Sequence, residues 1–503
     1  MSEPRSDRNK MGLLGAVSFV CGNIIGSGLF ITPTAILQYT NSVGLSLLVW
    51  FLSALISMLG AYCYIELGTS IRHSGADFAY LCYVGWFPIA FSFLSTGCLM
   101  TFPAVVAVEA LTFSEYLFEG LYINLESAVS QHMAKTLASF SLVWLICFLN
   151  FFSLRTFVSR FQIAATAAKI LATMTIICVG MYMLVFKGEV ENLKDPFANS
   201  TYEPSMIVNA FFQGLFSYDG WDVLNFGVEE VANPTRTLSL AIPIGIFIIA
   251  FVYCATNLSY FVVLSIPEVL KTPAVAQTFA NRTMGSFRHA MPFLTSIMLI
   301  GSLNSTIFTS SRYLFAGARQ GQMPSFLSVV NEKHDSPRAA IFYSVLLAML
   351  FALVGEVDKL INYLTFAMWV QRALTMCALL YIRYYNVKVH PDRIRVPIIL
   401  PIVFLIICIT LVITTVTADI KTASIGLVFL ITGFVFYMVF LWDKGLARYD
   451  GYKNSCARVD EKLAIYNQII FNGMVSVNKK ESMFENKTQL LTDSPSATPI
   501  IHH

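Results

Sequence analysis

The chain has 503 residues, of which 56% are hydrophobic and 13% charged, and its mean hydropathy is +0.66. Soluble globular proteins carry about 25% charged residues, so this composition excludes an ordinary water-soluble protein. The formal net charge of +3 is too small to favour a nucleic acid partner. Repeated apolar runs of about 20 residues predict instead an all-α polytopic protein embedded in a lipid bilayer.

About twelve apolar segments follow one another, each long enough to cross a bilayer as a helix. We predict spanning helices at 13–39, 43–69, 86–117, 137–153, 161–186, 205–230, 239–265, 291–317, 339–355, 361–383, 396–417 and 422–442. A polar leader, residues 1–12, precedes them, and the first segment is too long for the apolar region of a signal peptide. A polar tail, residues 443–503, follows; we expect it to be flexible, apart from a candidate interfacial helix over 463–477.

The connections on the amino-terminal side of the predicted bundle carry more Lys and Arg than those on the opposite side. On the amino-terminal side these are Arg72, Arg155, Arg160, Arg236, Arg319, Lys333, Arg338, Arg383, Lys388, Arg393 and Arg395. The opposite side has fewer, interspersed with acids such as Glu189 and Asp195. Positive residues concentrate on the cytosolic side of membrane proteins, so we expect both termini in the cytosol.

The first spanning segment contains a run of poor helix formers, Gly26-Ser27-Gly28, followed by Pro33. Glycine costs about 1 kcal/mol in a helix interior, and proline removes a backbone donor. Inside the bilayer a broken helix is tolerated only where it faces protein or a watery cavity. This run therefore predicts a helix break that lines a cavity; the alternative is a pair of small residues packed at a helix crossing.

The sixth segment holds a second interruption over 214–222, where Asp219 and Asp222 lie on either side of Gly220 and Trp221. Acidic residues in a spanning segment are costly unless they face the bundle interior or water. A second five-helix repeat would begin at this segment. Matched interruptions in two repeats are typical of a midplane binding site in inverted-repeat transporters, so we favour a site over packing glycines.

The two breaks offer opposite partial charges. Free N–H groups near Ser27 and Gly28, where the second half of helix one begins, carry the positive end of a helix dipole and suit a carboxylate. Carbonyl groups at Ile24 and Phe216, which end the first half-helices, suit an ammonium group. One site would thus match both poles of an α-amino acid.

Several motifs resemble those of one transporter family. The first is Ile24-Ile25-Gly26-Ser27-Gly28-Leu29-Phe30 with Thr32-Pro33. The others are Glu66-Leu67-Gly68, Ser74-Gly75-Ala76-Asp77, Phe113-Ser114-Glu115-Tyr116, Asn225-Phe226, Glu229-Glu230, Asn233-Pro234, the run 304–312 and Arg395-Val396-Pro397. Together, over residues 11 to 442, the chain resembles the light chains of heteromeric amino acid transporters, the L-type group of the amino acid–polyamine–organocation superfamily.

The resemblance implies two inverted five-helix repeats, 13–186 and 205–383, with broken helices one and six and two further helices over 396–442. It implies an antiporter that exchanges amino acids across the plasma membrane. Ser27 and Gly28 would bind the substrate carboxylate, while Phe216 would close over the substrate as an aromatic gate. The full candidate substrate site is Ile24, Gly26, Ser27, Gly28, Phe216, Ser217, Asp219 and Asp222, with Ile24, Phe216 and the backbone at Asp219 facing the amine.

Asp219 and Asp222 bear on the substrate side chain. Asp219 resembles the subgroup that takes neutral and dibasic amino acids, and Asp222 resembles another subgroup that handles cationic substrates. A carboxylate beside the site provides a counter-ion for a lysine or arginine side chain. The alternative is that each acid caps the second half-helix of segment six. We expect neutral and cationic L-amino acids to bind.

Lys169 lies about three turns into the fifth segment, where a buried lysine must find partners. By resemblance, its ammonium group takes the position of a sodium ion in coupled relatives of the wider fold, which implies sodium independence; the alternative is a lysine that snorkels to the interface. Arg372 has no counterpart in the family pattern and would repel a cationic substrate near the site. Glu109 is a candidate partner for Arg372.

Light chains of this family usually carry a cysteine in the external loop between helices three and four, which forms a disulfide with a glycoprotein heavy chain. The loop here, residues 118–136, has none, so we expect no disulfide-linked heavy chain, although a non-covalent partner is compatible with the sequence. The ten cysteines show no metal-site spacing, and we predict no cofactor. A proton-coupled uptake carrier and a non-transporting amino acid sensor remain alternatives. We do not expect an enzyme, because the sequence contains no recognisable catalytic motif.

Overall fold

The computed structural model describes residues 10–26, 28–121, 123, 127–152, 158–272, 275–331, 333–334, 336–354, 357–418 and 420–475. Within them the fold is nearly all helical, which confirms the predicted all-α class. The strands of the described residues are two short ones, β1 (Val329–Val330) and β2 (Met474–Val475), which pair antiparallel.

The helices divide at the candidate breaks. The first half of the chain contains α1 (Leu13–Ile24), α2 (Gly28–Thr40), α3 (Val43–Ser70), α4 (Ala76–Tyr83), α5 (Phe87–Thr96), α6 (Phe102–Gly120), α7 (Ala128–Leu149) and α8 (Ser159–Phe186). The second half contains α9 (Pro204–Ser217), α10 (Val223–Phe226), α11 (Pro234–Val263), α12 (Ile266–Lys271), α13 (Val275–Thr283), α14 (Met291–Arg319), α15 (Arg338–Val354), α16 (Val357–Tyr384), α17 (Ile399–Ala418), α18 (Ile420–Phe436) and α19 (Asp450–Phe471).

Eight helical stretches among the described residues are long and apolar enough to cross a bilayer, or nine if α1 and α2 form one span bent by 44°. This result supports a polytopic membrane protein. The other predicted spans coincide with α9 and α10, with α15 and with α16. These helices are short, broken or interrupted by charge, so length and apolarity alone do not identify them, and the total of twelve stays a prediction.

The broken helices lie at the centre of the bundle. The α1 helix packs against α8, α11 and α14, and α2 packs against α9. The largest buried side chains around them include Trp50, Trp221, Tyr218 and Tyr253, and the rings of Trp50, Tyr218 and Tyr253 contact one another edge-on or tilted. A core of this kind holds the backbone around each break in one arrangement, because aromatic rings fill space with few rotamers.

The tail differs from its prediction over residues 450–475. The α19 helix docks on the connection between α14 and α15: Ser325 N donates to Asp460 Oδ1 at 2.8 Å, and Asn331 Nδ2 donates to Asn472 O at 2.6 Å. The expectation of a flexible tail was wrong there because Ala464, Asn467 and Phe471 recur every three or four residues and bury one helix face. The ring of Phe471 also contacts Phe151 and Phe342.

Candidate functional site

The two helix breaks meet in space. Gly28, at the start of α2, approaches the end of α9 so closely that a Cβ at Gly28 would lie 2.9 Å from Ser217 Cα. The hydroxyls of Thr32 and Ser217 form a hydrogen bond of 2.7 Å across the same contact. Asn23 Nδ2, near the end of α1, donates to Gly220 O at 3.1 Å. The two interruptions are therefore neighbours in the folded chain, and their shared substrate site stays a prediction.

Gly220 allows the second break to form. Its φ is +98°, a left-handed value that an L-residue with a side chain rarely adopts. A Cβ at this position would also lie 2.1 Å from Asn23 Nδ2. The chain therefore leaves helical geometry after Ser217, turns through 218–222 and re-enters a short helix at Val223. The break lies a few residues later than Gly214, where the interruption in the sequence begins.

The carbonyl groups at the first break are occupied by donors of the protein. Lys169, fully buried on α8, donates from Nζ to Gly22 O at 2.7 Å and to Ile25 O at 2.5 Å. The Tyr253 hydroxyl lies 2.7 Å from Ile24 O and 3.2 Å from Ser217 O. A fixed ammonium thus sits at the negative end of α1, which is a position that also suits a metal cation.

An acid lies on the other side of the first break. A Cβ at Gly26 would lie 2.7 Å from Ser302 Oγ and 3.3 Å from Glu109 Oε1, and Ser302 donates to that carboxylate oxygen. Lys169 and Glu109 thus approach neighbouring residues of the same break from two different helices. The suggestion that Glu109 pairs with Arg372 was wrong, because Arg372 Nη2 forms an ion pair with Asp219. Sequence spacing could not show which side of the bundle each residue faces.

A cavity of about 100 Å³ opens at the second break. It is bounded by segments from several parts of the bundle, and its lining residues are Asn23, Asp77, Gly97, Thr101, Phe102, Val105, Asp219, Gly220, Asp222, Phe226, Thr306, Thr309, Tyr313, Met368, Gln371 and Arg372. The Arg372 guanidinium lies 5.0 Å from the ring centres of both Trp221 and Trp369. Stacking and the ion pair to Asp219 together fix this cation in the wall.

The three acids of the cavity wall are not equivalent. Asp77 accepts hydrogen bonds from Tyr64, from Thr375 Oγ1 at 2.7 Å and from Gln371 Nε2 at 2.9 Å, so its carboxylate is saturated by the protein. Asp219 is paired with Arg372. The Asp222 side chain lines the cavity without an ion pair among the described residues and is 9% exposed. Among the described residues it is therefore the acid of this wall that no ion pair occupies.

Six of the eight predicted substrate-site residues fall into three groups. Asp219 and Asp222 line the cavity, whereas Gly28 and Ser217 are in mutual contact, and Ile24 and Gly26 face Tyr253 and Glu109 instead. Phe216 does not line the cavity; its carbonyl accepts from Asp219 N at 3.1 Å, and its gating role stays a prediction. Ser27 falls outside the described residues.

Among the contributors to the site that were not predicted from the sequence are Asn23, Tyr253 and Gln371. Asn23 carried a signal, because a polar amide directly before a helix break has few other roles. The sequence gives no such signal for Tyr253 and Gln371, because each acts through a contact that forms only in the folded bundle. Within the described part of the chain, no group of three or more His, Cys, Asp or Glu side chains could hold a metal ion.

Comparisons with known proteins agree on one family. Residues 11–440 match the amino acid permease family. The chain is 50% identical to "Amino acid transporter protein 6" of Caenorhabditis elegans over 94% of this chain and 90% of the relative. It is 35% identical to the human "Cystine/glutamate transporter" over 87% and 86% of the two chains, and 32% identical to the mouse "Asc-type amino acid transporter 1" over 99% and 93%.

Proposed function

The chain belongs to the amino acid permease family, and we propose that it is a sodium-independent exchanger of amino acids in the plasma membrane. The relatives that match it bear the names of amino acid transporters, which supports amino acid transport by this chain. The observation that carries the proposal is the meeting of two helix breaks beside a cavity with a charged wall. In inverted-repeat transporters this arrangement binds the substrate at the bilayer midplane.

Lys169 supports the absence of sodium coupling. Its ammonium already binds the two carbonyls, of Gly22 and Ile25, that would otherwise attract a cation at the end of α1. Two positive charges cannot share such a small buried site, because each would lose hydration and repel the other. A sodium ion would therefore have to displace Lys169 from both carbonyl groups.

We propose that the site takes neutral and cationic amino acids and that Asp222, more than Asp219, favours the cations. The ion pair with Arg372 compensates the charge of Asp219, and the protein's own hydrogen bonds occupy the Asp77 carboxylate. The Asp222 carboxylate is left to bind a substrate ammonium or guanidinium group. Sequence similarity to these relatives does not determine whether this chain prefers cationic, neutral or acidic amino acids. The human relative at 35% identity is named for glutamate, an acidic amino acid.

Exchange requires that each side of the bundle open in turn. On the amino-terminal side, Arg312 pairs with Glu230 at 3.2 Å and Arg319 pairs with Glu229 at 2.7 Å, joining the end of α14 to the connection after α10. These ion pairs must separate when the site opens to that side. We propose that this side is cytosolic, with both termini there, as the Lys and Arg distribution predicts.

Counterflow in proteoliposomes tests the exchange. Vesicles loaded with radiolabelled leucine should release it several-fold faster when unlabelled leucine is added outside, equally in sodium and in choline buffers. Each turnover of an exchanger needs a substrate on the far side, so little efflux is expected without it. An efflux rate that is independent of external substrate, or that depends on sodium, would contradict the proposal.

A proton-coupled carrier is the second candidate, and Glu109 is the observation that favours it. A buried carboxylate beside Gly26 and near Lys169 could carry a proton through the cycle. An inward proton gradient should then drive net uptake into empty vesicles, and Glu109→Gln should abolish that drive while counterflow persists. An exchanger shows no net uptake under the gradient. A sensor would bind leucine but give no flux in either assay.

We propose that any heavy-chain partner is held without a disulfide, since the loop over 118–136 contains no cysteine. Non-reducing electrophoresis of the surface protein should show the chain at its own mass. A band that shifts down on reduction would contradict this. Co-purification of a single-span glycoprotein would show a non-covalent partner.

A further inference from the structure

A second cavity, of about 300 Å³, lies on the amino-terminal side of the bundle and shares no residue with the first. It forms where the end of α3 meets the end of α16 and the connection that leads to α17. Its lining residues are Glu66, Ser70, Ile382, Arg383, Asn386, Val387, Lys388, Val389, Arg393 and Arg395. Four of these ten side chains are basic and one is acidic.

The single acid is already used by the protein. Glu66 and Arg383 form a buried ion pair, with side chains 4% and 6% exposed. Val396 N donates to the same carboxylate at 2.9 Å, and Arg383 Nη2 donates to Val396 O at 2.7 Å. This closed set of contacts leaves no acidic group of the lining to balance the remaining basic side chains.

Lys388, Arg393 and Arg395 are the basic side chains that remain. All three are exposed, and in the described parts of the chain none forms an ion pair. The mouth of the cavity therefore carries three positive charges outside any described ion pair, and the acid on the same connection, Asp392, lies 3.8 Å from His390 Nδ1. Guanidinium groups bind phosphate oxygens in pairs, and lysine binds them as a point charge. The chemistry of the cavity is that of an anion site.

The backbone that presents these side chains is fixed to its neighbours. His390 N donates to Ser70 O at 3.1 Å, Ile394 N donates to Thr69 Oγ1 at 3.1 Å, and the Tyr83 hydroxyl donates to Lys388 O. A connection held at three points keeps its charges in place before a ligand arrives. Binding then costs less conformational entropy than binding to a free loop.

Apolar side chains next to the cavity indicate where the rest of the ligand would lie. Tyr384 and Tyr385 are exposed at the end of α16, and Ile398 and Ile399 are exposed where the membrane-spanning α17 begins. Tyrosines of this kind favour the headgroup region of a bilayer, and the isoleucines would face acyl chains. A charged head in the cavity with chains along α17 fits both surfaces.

We propose that this cavity binds a phosphate group, carried by the headgroup of an anionic lipid, through Lys388, Arg393 and Arg395. Basic pockets between spanning helices on the cytosolic side recognise such headgroups. A bound headgroup would join α3 to α16, the helix that carries Arg372 in the wall of the candidate substrate site. The lipid site itself does not depend on which amino acids are transported.

Native mass spectrometry of the purified full chain tests the proposal, with phosphatidylinositol 4-phosphate, phosphatidylcholine and inorganic phosphate as separate probes. The phosphoinositide should bind at one site with clear preference over phosphatidylcholine. The variant K388Q/R393Q/R395Q should weaken that binding on the order of 100-fold, since each basic residue contributes about 1 kcal/mol near an anionic headgroup. The variant K453Q/R458Q/K462Q removes three exposed charges from α19 and is the matched control.

The outcomes are distinct. Retention of the lipid by the control but not by the cavity variant supports the site. Binding of inorganic phosphate with the same dependence on Arg393 also supports it and assigns the ligand to a soluble source. Equal lipid binding by the cavity variant and the unmodified chain overturns the proposal, as does an equal loss in the control. Should the triple variant not fold, Arg393→Gln alone should weaken binding about fivefold.

Discussion

The two helix breaks look alike in sequence but differ in the folded chain. At the first break, the carbonyl groups of Gly22, Ile24 and Ile25 accept hydrogen bonds from Lys169 and Tyr253. At the second break, Asp219 and Asp222 reach a cavity. The carbonyl groups of the first break are thus bound within the protein, whereas the second break brings two acids to a cavity.

The difference shows that a helix break is not by itself a binding site. Broken ends expose polar backbone groups, and burial requires that each find a partner. A buried lysine or tyrosine meets that requirement as well as a substrate does. Which break remains open to ligands depends on side chains from other helices, here α8, α11 and α16.

The largest expected effect comes from Lys169→Met. The variant leaves Gly22 O and Ile25 O without a donor, each at a cost of about 1–3 kcal/mol, and removes the charge opposite Glu109. We expect uptake of leucine to fall to background, with a lower melting temperature in detergent. Lys187→Met, at the exposed end of the same helix, is the control and should change neither quantity. Normal uptake in Lys169→Met would show that the first break needs no fixed donor.

The next effect concerns Gly220→Ala at the second break. The substitution places a side chain at φ +98° and a Cβ 2.1 Å from Asn23 Nδ2, so the break must shift. Backbone strain alone costs about 1–3 kcal/mol, and the clash adds to it. Leucine uptake per surface molecule should fall roughly tenfold or more, because about 1.4 kcal/mol corresponds to a factor of ten.

Gly188→Ala separates strain from clash. Gly188 also has a positive φ, +66°, but nothing lies within 4 Å of the position of its Cβ. This control should fold and transport nearly normally. If both alanine variants behaved alike, the contact between Asn23 and Gly220 would have no part in holding the breaks together.

A smaller effect is expected from Tyr253→Phe, which removes the hydroxyl between Ile24 O and Ser217 O. One buried hydrogen bond contributes about 1 kcal/mol, and the packing of the ring against Trp50 is kept. The melting temperature should fall by a few degrees and uptake by a few-fold. Cys254→Ala, the neighbouring and half-buried position, serves as the control. An unchanged melting temperature would mean that the two breaks are not joined through this hydroxyl.

The helical class and the place of both breaks were predictable from the sequence because those features are local. Glycines inside apolar segments, and acidic residues in the middle of a predicted span, can be identified without knowledge of the fold. Lys169 was also predictable, since a charge so far from a helix end needs a partner. The pairing of Arg372 with Asp219 was not, because residues 153 positions apart meet only after packing.

The docked tail shows a second limit. Residues 450–471 are rich in charged and polar side chains, which is typical of a solvated tail. A few buried contacts are nevertheless enough to fix this helix, because β2, which follows it, pairs with β1. Composition indicates how much apolar surface a segment can bury. It does not show whether another part of the protein offers a complementary surface. The same reasoning explains the basic cavity, whose parts come from two distant stretches of sequence.

The most direct measurement of the central claim is the ratio of lysine to leucine uptake in Asp222→Asn. If the second break selects by charge, this ratio should fall about tenfold, as expected for loss of one charged hydrogen bond. Asp219→Asn should also lower it, because Arg372 then lacks its counter-ion, whereas Asp195→Asn in an exposed connection should not. An unchanged ratio in Asp222→Asn, with normal leucine uptake, would contradict the account.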